Sequence, residues 1–240
     1  MKIGLVSARM RENALEEQIN EIKNHLEQAE GYDLLCFGES FLQGFEGLSW
    51  EYEQDRSRAL TVDSAPIQQI VRLAEHYHCG LAFGFIEREG EVLYSSNLVI
   101  SKRGNFVDLF RRVSPGWKEP HADFHYQEGD GFHTFRINGL TFAAAICGDL
   151  WDEANITALG KLKYDVLLWP LYVDYSVEQW EKEQLAAYAA QAGKTGKPVL
   201  MVNSWVDDPT RAKGGCYYFE AGKVTAALPA GQGGVLGVEL

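Results

Sequence analysis

Cys147 ends an apolar run and is followed at once by Gly148, Asp149, Trp151, Asp152 and Glu153, in the stretch "FAAAICGDLWDE". A free cysteine is most often a buried packing residue. Cys36, Cys79 and Cys216 are read that way. Cys147 differs in position, between an apolar strand and a helical segment. A sharp strand-to-helix turn places a side chain at the edge of a sheet and aims backbone N–H groups at one spot. Such groups lower a thiol pKa and stabilise an oxyanion. The chemistry on offer is nucleophilic attack by sulfur.

A thiol nucleophile needs a base, and histidine is the usual partner. None of His25, His76, His78, His121, His125 and His133 stands at a convincing strand end. His121 and His125 have the i, i+4 spacing of a zinc helix. The HExxH glutamate and a third ligand are missing, so no metal is assigned. The other available base is a carboxylate. Glu39 ends the apolar run "YDLLCFGE", and strand ends are where an open α/β sheet places its site. Taken alone, Glu39 is equally a solvated loop acid.

The elements that must position these residues follow from apolar periodicity. "KIGLVSA" reads as a first strand, and Leu15, Ile19, Ile22 and Leu26 as the core face of a helix. Tyr32–Glu39 reads as a strand covered on both faces. Asp63, Ser64 and Pro66 mark the start of a helix running to about His78. "GLAFGFIE", "LYSSNLVIS" and "FVDLFRRV" read as strands. Asn138-Gly139 joins "GFHTFRI" to "LTFAAAI" as a hairpin. After Cys147 come a helical "WDEANITALGKL", a strand "YDVLLWP" and a long helix over Val177–Gly193. "PVLMVNSW", "GCYYFEAGKVTAAL" and "GGVLGVEL" close the chain as strands. The hairpins exclude a purely parallel sheet and favour mixed sheets flanked by helices. No linker or repeat divides the chain, so residues 1–240 are read as a single domain.

The 240 residues carry a formal charge of −12, which disfavours nucleic acid and anionic membranes as partners. Apolar residues make up 46% and charged residues 23%, an ordinary balance for a globular core. No apolar run approaches the ~20 residues of a membrane span, and no signal-peptide pattern stands at the start. The four cysteines form no CxxC pair, so the expected location is reducing and cytoplasmic.

"CFGESFLQGF", "DLFRRVSPGWKEP" and "AAAICGDLWDE", in that order and spacing, resemble the nitrilase superfamily of carbon–nitrogen hydrolases. The opening "MKIGLVSARMRENALEEQINEI", "KLKYDVLLWPL", "KPVLMVNSW" and "KGGCYYFEAGKV" extend the resemblance over nearly the whole chain. It implies a four-layer αββα sandwich with two mixed β-sheets, a homodimer, no cofactor, and hydrolysis of a small amide with water through a Glu–Lys–Cys triad. Carried over, Glu39 is the general base and Cys147 the nucleophile, with Gly148 at the oxyanion. The lysine of the triad normally follows a "YR" pair; here "FRR" puts Arg112 in its place. Lys118 in "GWKEP" is the second candidate cation, and Glu119 resembles a supporting glutamate of that loop. Trp151, Trp169, Tyr172 and Trp205 are candidate pocket aromatics, and in the resemblance Asp149, Asp152 and Glu153 become helix-start residues. Amides are favoured over nitriles because relatives of this compact length resemble amidases. The alternative is a catalytically weak relative that binds a small molecule, having lost turnover with the lysine.

Overall fold

The computed structural model describes all 240 residues. The first sheet takes β1 (Lys2–Ser7), β2 (Leu34–Cys36), β3 (Gly80–Glu89), β4 (Val92–Ile100) and β5 (Phe106–Arg111). The second takes β6 (Thr134–Ile137), β7 (Leu140–Ala144), β8 (Val166–Leu171), β9 (Val199–Asn203), β10 (Cys216–Glu220) and β11 (Lys223–Leu228). The last strand, β12 (Gly234–Glu239), returns to the first sheet beside β1. The orders are β12-β1-β2-β3-β4-β5 and β11-β10-β9-β8-β7-β6. Strands β1 to β3 run parallel, as do β7 to β9, and antiparallel neighbours extend each set. Both sheets are therefore mixed.

Alternation along the strands builds the layers. Leu34 and Cys36 face inward with Ala82, Val99 and Phe110, against Phe142, Ala144, Ile146, Leu168 and Val202 of the second sheet. Leu35 and Phe37 face outward, where α1 (Leu15–Leu26) and α3 (Ala65–His76) cover them with Ile19, Ile22, Ile67 and Ile70. The short α2 (Tyr52–Asp55) lies in the connection between them. On the far side, α4 (Glu153–Leu159), α5 (Val177–Gln179) and α6 (Leu185–Gly193) follow the second sheet. Leu159, Tyr188, Ala189 and Ala192 pack there on Ala143, Ala145, Leu167 and Trp169. The result is helix, sheet, sheet, helix. Asn138 and Gly139 both have positive φ (49° and 90°), as the tight turn between β6 and β7 requires.

Three elements differ from their sequence reading. The long helix passes through one π-helical stretch, Trp180–Gln184, between α5 and α6. The helix after Cys147 divides into a 3₁₀ turn, Cys147–Trp151, and α4. Asp152 separates them and caps α4 by accepting the Ala154 N–H at 2.8 Å. The strand expected over Tyr32–Glu39 pairs only at Leu34–Cys36. Beyond it the chain still bonds β3, with Phe37 N–H donating to the Ala82 carbonyl at 2.8 Å and the Gly38 carbonyl accepting Gly84 N–H at 3.1 Å, and it also bonds the second sheet. Glu39 N–H donates to the Leu171 carbonyl at 3.1 Å, and Ser204 N–H donates to the same oxygen at 3.0 Å. Ser204 Oγ donates to the Glu39 carbonyl at 2.7 Å. The edges of the two sheets are stitched together at Glu39.

This stitching needs small residues around it. A Cβ on Gly84 would stand 2.6 Å from the Gly38 carbonyl oxygen and 2.7 Å from the Glu39 carbonyl carbon. One on Gly38 would stand 2.6 Å from Ser204 N. All three neighbours are backbone atoms that cannot swing aside. Gly84→Ala is therefore expected to cost about 1–3 kcal/mol of stability and to displace Glu39. Thermal melting and activity of the folded variant both read it.

Candidate active site

Glu39, Arg112 and Cys147 converge at the same edge of the sandwich. Glu39 follows β2, Arg112 follows β5 and Cys147 follows β7. Cys147 has φ of +43°, a strained conformation for a residue with a side chain. The turn is held on several sides. Trp169 Nε1 donates to the Cys147 carbonyl at 2.9 Å. Asp149 turns back and accepts the Ile146 N–H at 2.8 Å on one oxygen, and the Val113 and Ser114 N–H groups at 3.0 and 2.7 Å on the other. The buried Asp149 carboxylate thus locks the cysteine turn to the backbone that follows Arg112. Burial raises its pKa to about 6 against the pull of those N–H donors.

Glu39 is 1% exposed. Its Oε1 accepts Ser95 Oγ at 3.0 Å and Arg112 Nη1 at 2.9 Å. Its Oε2 is buried and has no partner within the chain. Arg112, 5% exposed, spends Nε on Ser114 Oγ at 2.9 Å. Its Nη2 approaches Gly148 so closely that a Cβ there would lie 2.7 Å away. Burial works against the guanidinium charge, but Glu39, Cys147 and Asp149 outweigh it and raise its pKa. The cation is permanent.

The Cys147 thiol faces the Tyr172 carbonyl at 3.8 Å. Burial first, and then the Glu39 charge, push it up to about 12 despite Arg112. The expected lowering by N–H groups is therefore not found. The sulfur packs against the apolar layers on both faces of the second sheet and beside a carboxylate, and only a short 3₁₀ turn follows it. The resting group holds its proton as a thiol.

A cavity of about 340 Å³ opens above Cys147 and Arg112, with Trp50, Trp117 and Tyr172 among its walls and Glu119 at its rim. Lys118 is not part of it. Its Nζ donates to the Tyr126 carbonyl at 2.6 Å and pairs with Glu128 at 2.7 Å. The structure brings Arg112, not Lys118, to Glu39. The aromatics divide as well. Tyr172 lines the cavity. Trp169 is fully buried behind the cysteine turn, and Trp151 is 47% exposed on the outer surface against Tyr188. Trp205 lies under the Arg9 guanidinium. Gly148 sits beneath Arg112 rather than on the cavity wall.

Sequence reading missed the groups that aim the cavity walls. Asp55 accepts Trp50 N–H at 2.8 Å, Ser49 Oγ at 2.8 Å and Tyr126 OH at 2.6 Å. It fixes the loop that carries Trp50. Glu12 accepts Gly47 N–H at 3.0 Å, while its Oε1 is buried without a partner. It holds the loop that carries Phe45 and Glu46. The glycine- and aromatic-rich "LQGFEGLSW" was the available signal for this wall.

Burial raises the Glu12 pKa to about 7. The folded chain thus holds this proton more tightly than the unfolded one. The group's contribution to stability is greatest below its ordinary value of 4.5 and falls as pH rises toward 7. Glu12→Gln is expected to remove that fall. Its melting temperature relative to wild type should be higher at about pH 8 than at about pH 5, measured by thermal denaturation at both.

Residues 2–240 match the carbon-nitrogen hydrolase family. The chain belongs to that family. Among curated relatives, a cyanide hydratase of Stereum hirsutum is 27% identical over 173 residues, covering 68% of this chain and 42% of that protein. An aliphatic nitrilase of Rhodococcus rhodochrous is 28% identical over 133 residues, covering 51% of this chain and 35% of that protein. The chain thus spans less than half the length of these relatives. In fold it is similar to the nitrilase-superfamily amidase of Nesterenkonia sp. AN1, with a TM-score of 0.78 at 17% identity over 100% of this chain and 92% of that one. It is also similar to a CN-hydrolase superfamily protein of Xanthomonas campestris, with a TM-score of 0.79 at 17% identity over 99% and 89%. Two mixed sheets between helical layers, the αββα sandwich, are common to this fold.

Proposed function

We propose that this chain hydrolyses the C–N bond of a small amide through a thioester on Cys147, with Glu39 as general base and Arg112 as the cation. One observation carries the reading. Glu39 Oε1 is held by Arg112 and Ser95, which leaves the buried Oε2 without a partner, beside a thiol that is protonated at rest. Oε2 takes the thiol proton as Sγ bonds to the carbonyl carbon. The developing oxyanion is met by Arg112 Nη2, which makes no other hydrogen bond in the chain. As the C–N bond breaks, the nitrogen takes the proton from Glu39 and leaves as ammonia or an amine. Water then gives its proton to Glu39 and attacks the thioester. The C–S bond breaks, the carboxylic acid departs and sulfur regains its proton.

Acrylamide is bound by a double mutant of the Nesterenkonia amidase and is the Michael adduct on the active-site cysteine of a single mutant, which supports amides as the ligand class by analogy. Nitrilases are among the sequence relatives, so matched nitriles belong in the same assay. Glu119, at the cavity rim, is assigned a supporting role, and Lys118 a structural one. The weak-binder alternative rests on Arg112, since a guanidinium cannot share its proton as an ammonium does. Homodimer formation is carried over from the resemblance alone, and a cytoplasmic location from the cysteine pattern alone. The test is release of ammonia from a panel of small primary amides. Wild type should release it and Cys147→Ala should not. Equal rates in the two proteins would end the proposal.

A further inference from the structure

The cavity above Cys147 carries an unbalanced charge. Arg112, which lines the cavity, is neutralised by its ion pair with the buried Glu39. At the mouth stand Glu46, Glu119 and Asp174 with one guanidinium, Arg211. Arg211 is already engaged twice, with Glu46 at 2.9 Å and with Asp174 at 3.1 Å. Glu119 pairs with no cation. Three carboxylates thus face one guanidinium, which leaves two negative charges uncompensated.

The walls beside these acids are aromatic. Trp50 and Trp117 meet edge to face with ring centres 6.0 Å apart. An aromatic face next to carboxylates favours an organic cation by the ring quadrupole as well as by charge. That a ligand enters is indicated independently of the acids. Trp117 lines the cavity, is 5% exposed, and its Nε1 is buried without a partner in the chain.

We propose that this cavity selects amides bearing a positively charged group, an ammonium or guanidinium, over neutral or anionic amides of the same length. The proposal rests on the reading of Cys147 as an amide-cleaving nucleophile. The acyl end of the amide sits at Cys147 and Arg112. The cation extends toward Glu119, Asp174 and the two tryptophans. Arg211, with its two carboxylate partners, is closed to a substrate carboxylate.

Two measurements test this. In the first, kcat/KM is compared for δ-aminovaleramide, hexanamide and glutaric monoamide. The ammonium compound should lead by on the order of tenfold. That lead should shrink in Asp174→Asn, in Glu119→Gln and at high ionic strength. In the second, Cys147 is labelled with methanethiosulfonates bearing an ammonium, a methyl or a sulfonate group, with rates normalised to free cysteine. The ammonium reagent should react fastest, by a similar factor. Amides consumed with no preference for the cation would overturn the proposal while leaving hydrolysis intact. No amide consumed, with the ammonium reagent still fastest, would sink hydrolysis while the charge preference stands. A lead for glutaric monoamide would make Arg211 a carboxylate receptor and overturn the proposal.

Discussion

Glu39→Gln is expected to lower kcat/KM on small amides by on the order of 10³–10⁴-fold. The thiol it serves is raised to about 12 by burial and by Glu39's own charge. At neutral pH the sulfur therefore holds its proton until a base removes it. Glu39 Oε2 is the buried carboxylate oxygen free to do so. Glutamine keeps an oxygen for Arg112 and Ser95 but accepts no proton. A second readout separates this role from a structural one. Removing the carboxylate charge removes one of the influences that hold the thiol pKa up. The pH at which iodoacetamide modifies Cys147 should therefore move down in the variant while turnover is lost. Cys147 is the accessible thiol for this measurement, because Cys36, Cys79 and Cys216 are all buried. A variant that loses turnover and alkylation together would show collapse of the site rather than loss of a base. The buried Arg112 also loses its counter-charge, at a cost of up to about 3–5 kcal/mol. Circular dichroism must accompany the kinetics.

The second large effect is at the cation. Arg112→Ala should lower kcat by on the order of 10²–10³-fold and destabilise the fold by about 3–5 kcal/mol. Glu39 would be left buried and unpaired, and Ser114 Oγ would lose its donor. Lys118→Ala should leave kcat/KM within a few-fold of wild type. Its ammonium serves Tyr126 and Glu128, and a partly exposed pair of this kind is worth about 0–1 kcal/mol. Arg112→Lys is the informative exchange. It keeps the charge but loses the fork that reaches Glu39 and Ser114 together. It should preserve or raise activity if the guanidinium is a stand-in for an ammonium. Steady-state kinetics on the three variants decide the assignment. A Lys118→Ala variant as damaged as Arg112→Ala would contradict it.

What the sequence shows of the fold depends on where the interactions lie. β2 and its outward and inward faces are legible because Leu34, Leu35, Cys36 and Phe37 alternate between two apolar layers. The β6–β7 hairpin is legible because Asn138 and Gly139 alone specify its turn. Glu39 and Cys147 stand out because each ends an apolar strand. The choice between Arg112 and Lys118 was not legible. Arg112 meets Glu39 beside backbone that Asp149 grips through the Val113 and Ser114 N–H groups, from 35 residues or more away in the chain. Asp149 itself reads as a helix-start acid, since its bonds to Val113 and Ser114 appear only when the loops meet. Trp151 and Trp169 are equally aromatic in sequence, and tertiary packing exposes one and buries the other. Around Glu39 the backbone bonds both sheets, with Phe37 and Gly38 on β3 and Glu39 on Leu171 and Ser204 from far along the chain, which no local pattern shows.

The central claim is a covalent acyl-enzyme on Cys147. It is tested most directly by intact-protein and peptide mass spectrometry after rapid acid quench during turnover of a small amide. An acyl mass increment should appear on the Cys147 peptide of wild type, accumulate where hydrolysis of the thioester is slowed, and be absent from Cys147→Ala. Amide consumed at full rate with no acyl increment on Cys147, or with the increment on another residue, would contradict the account.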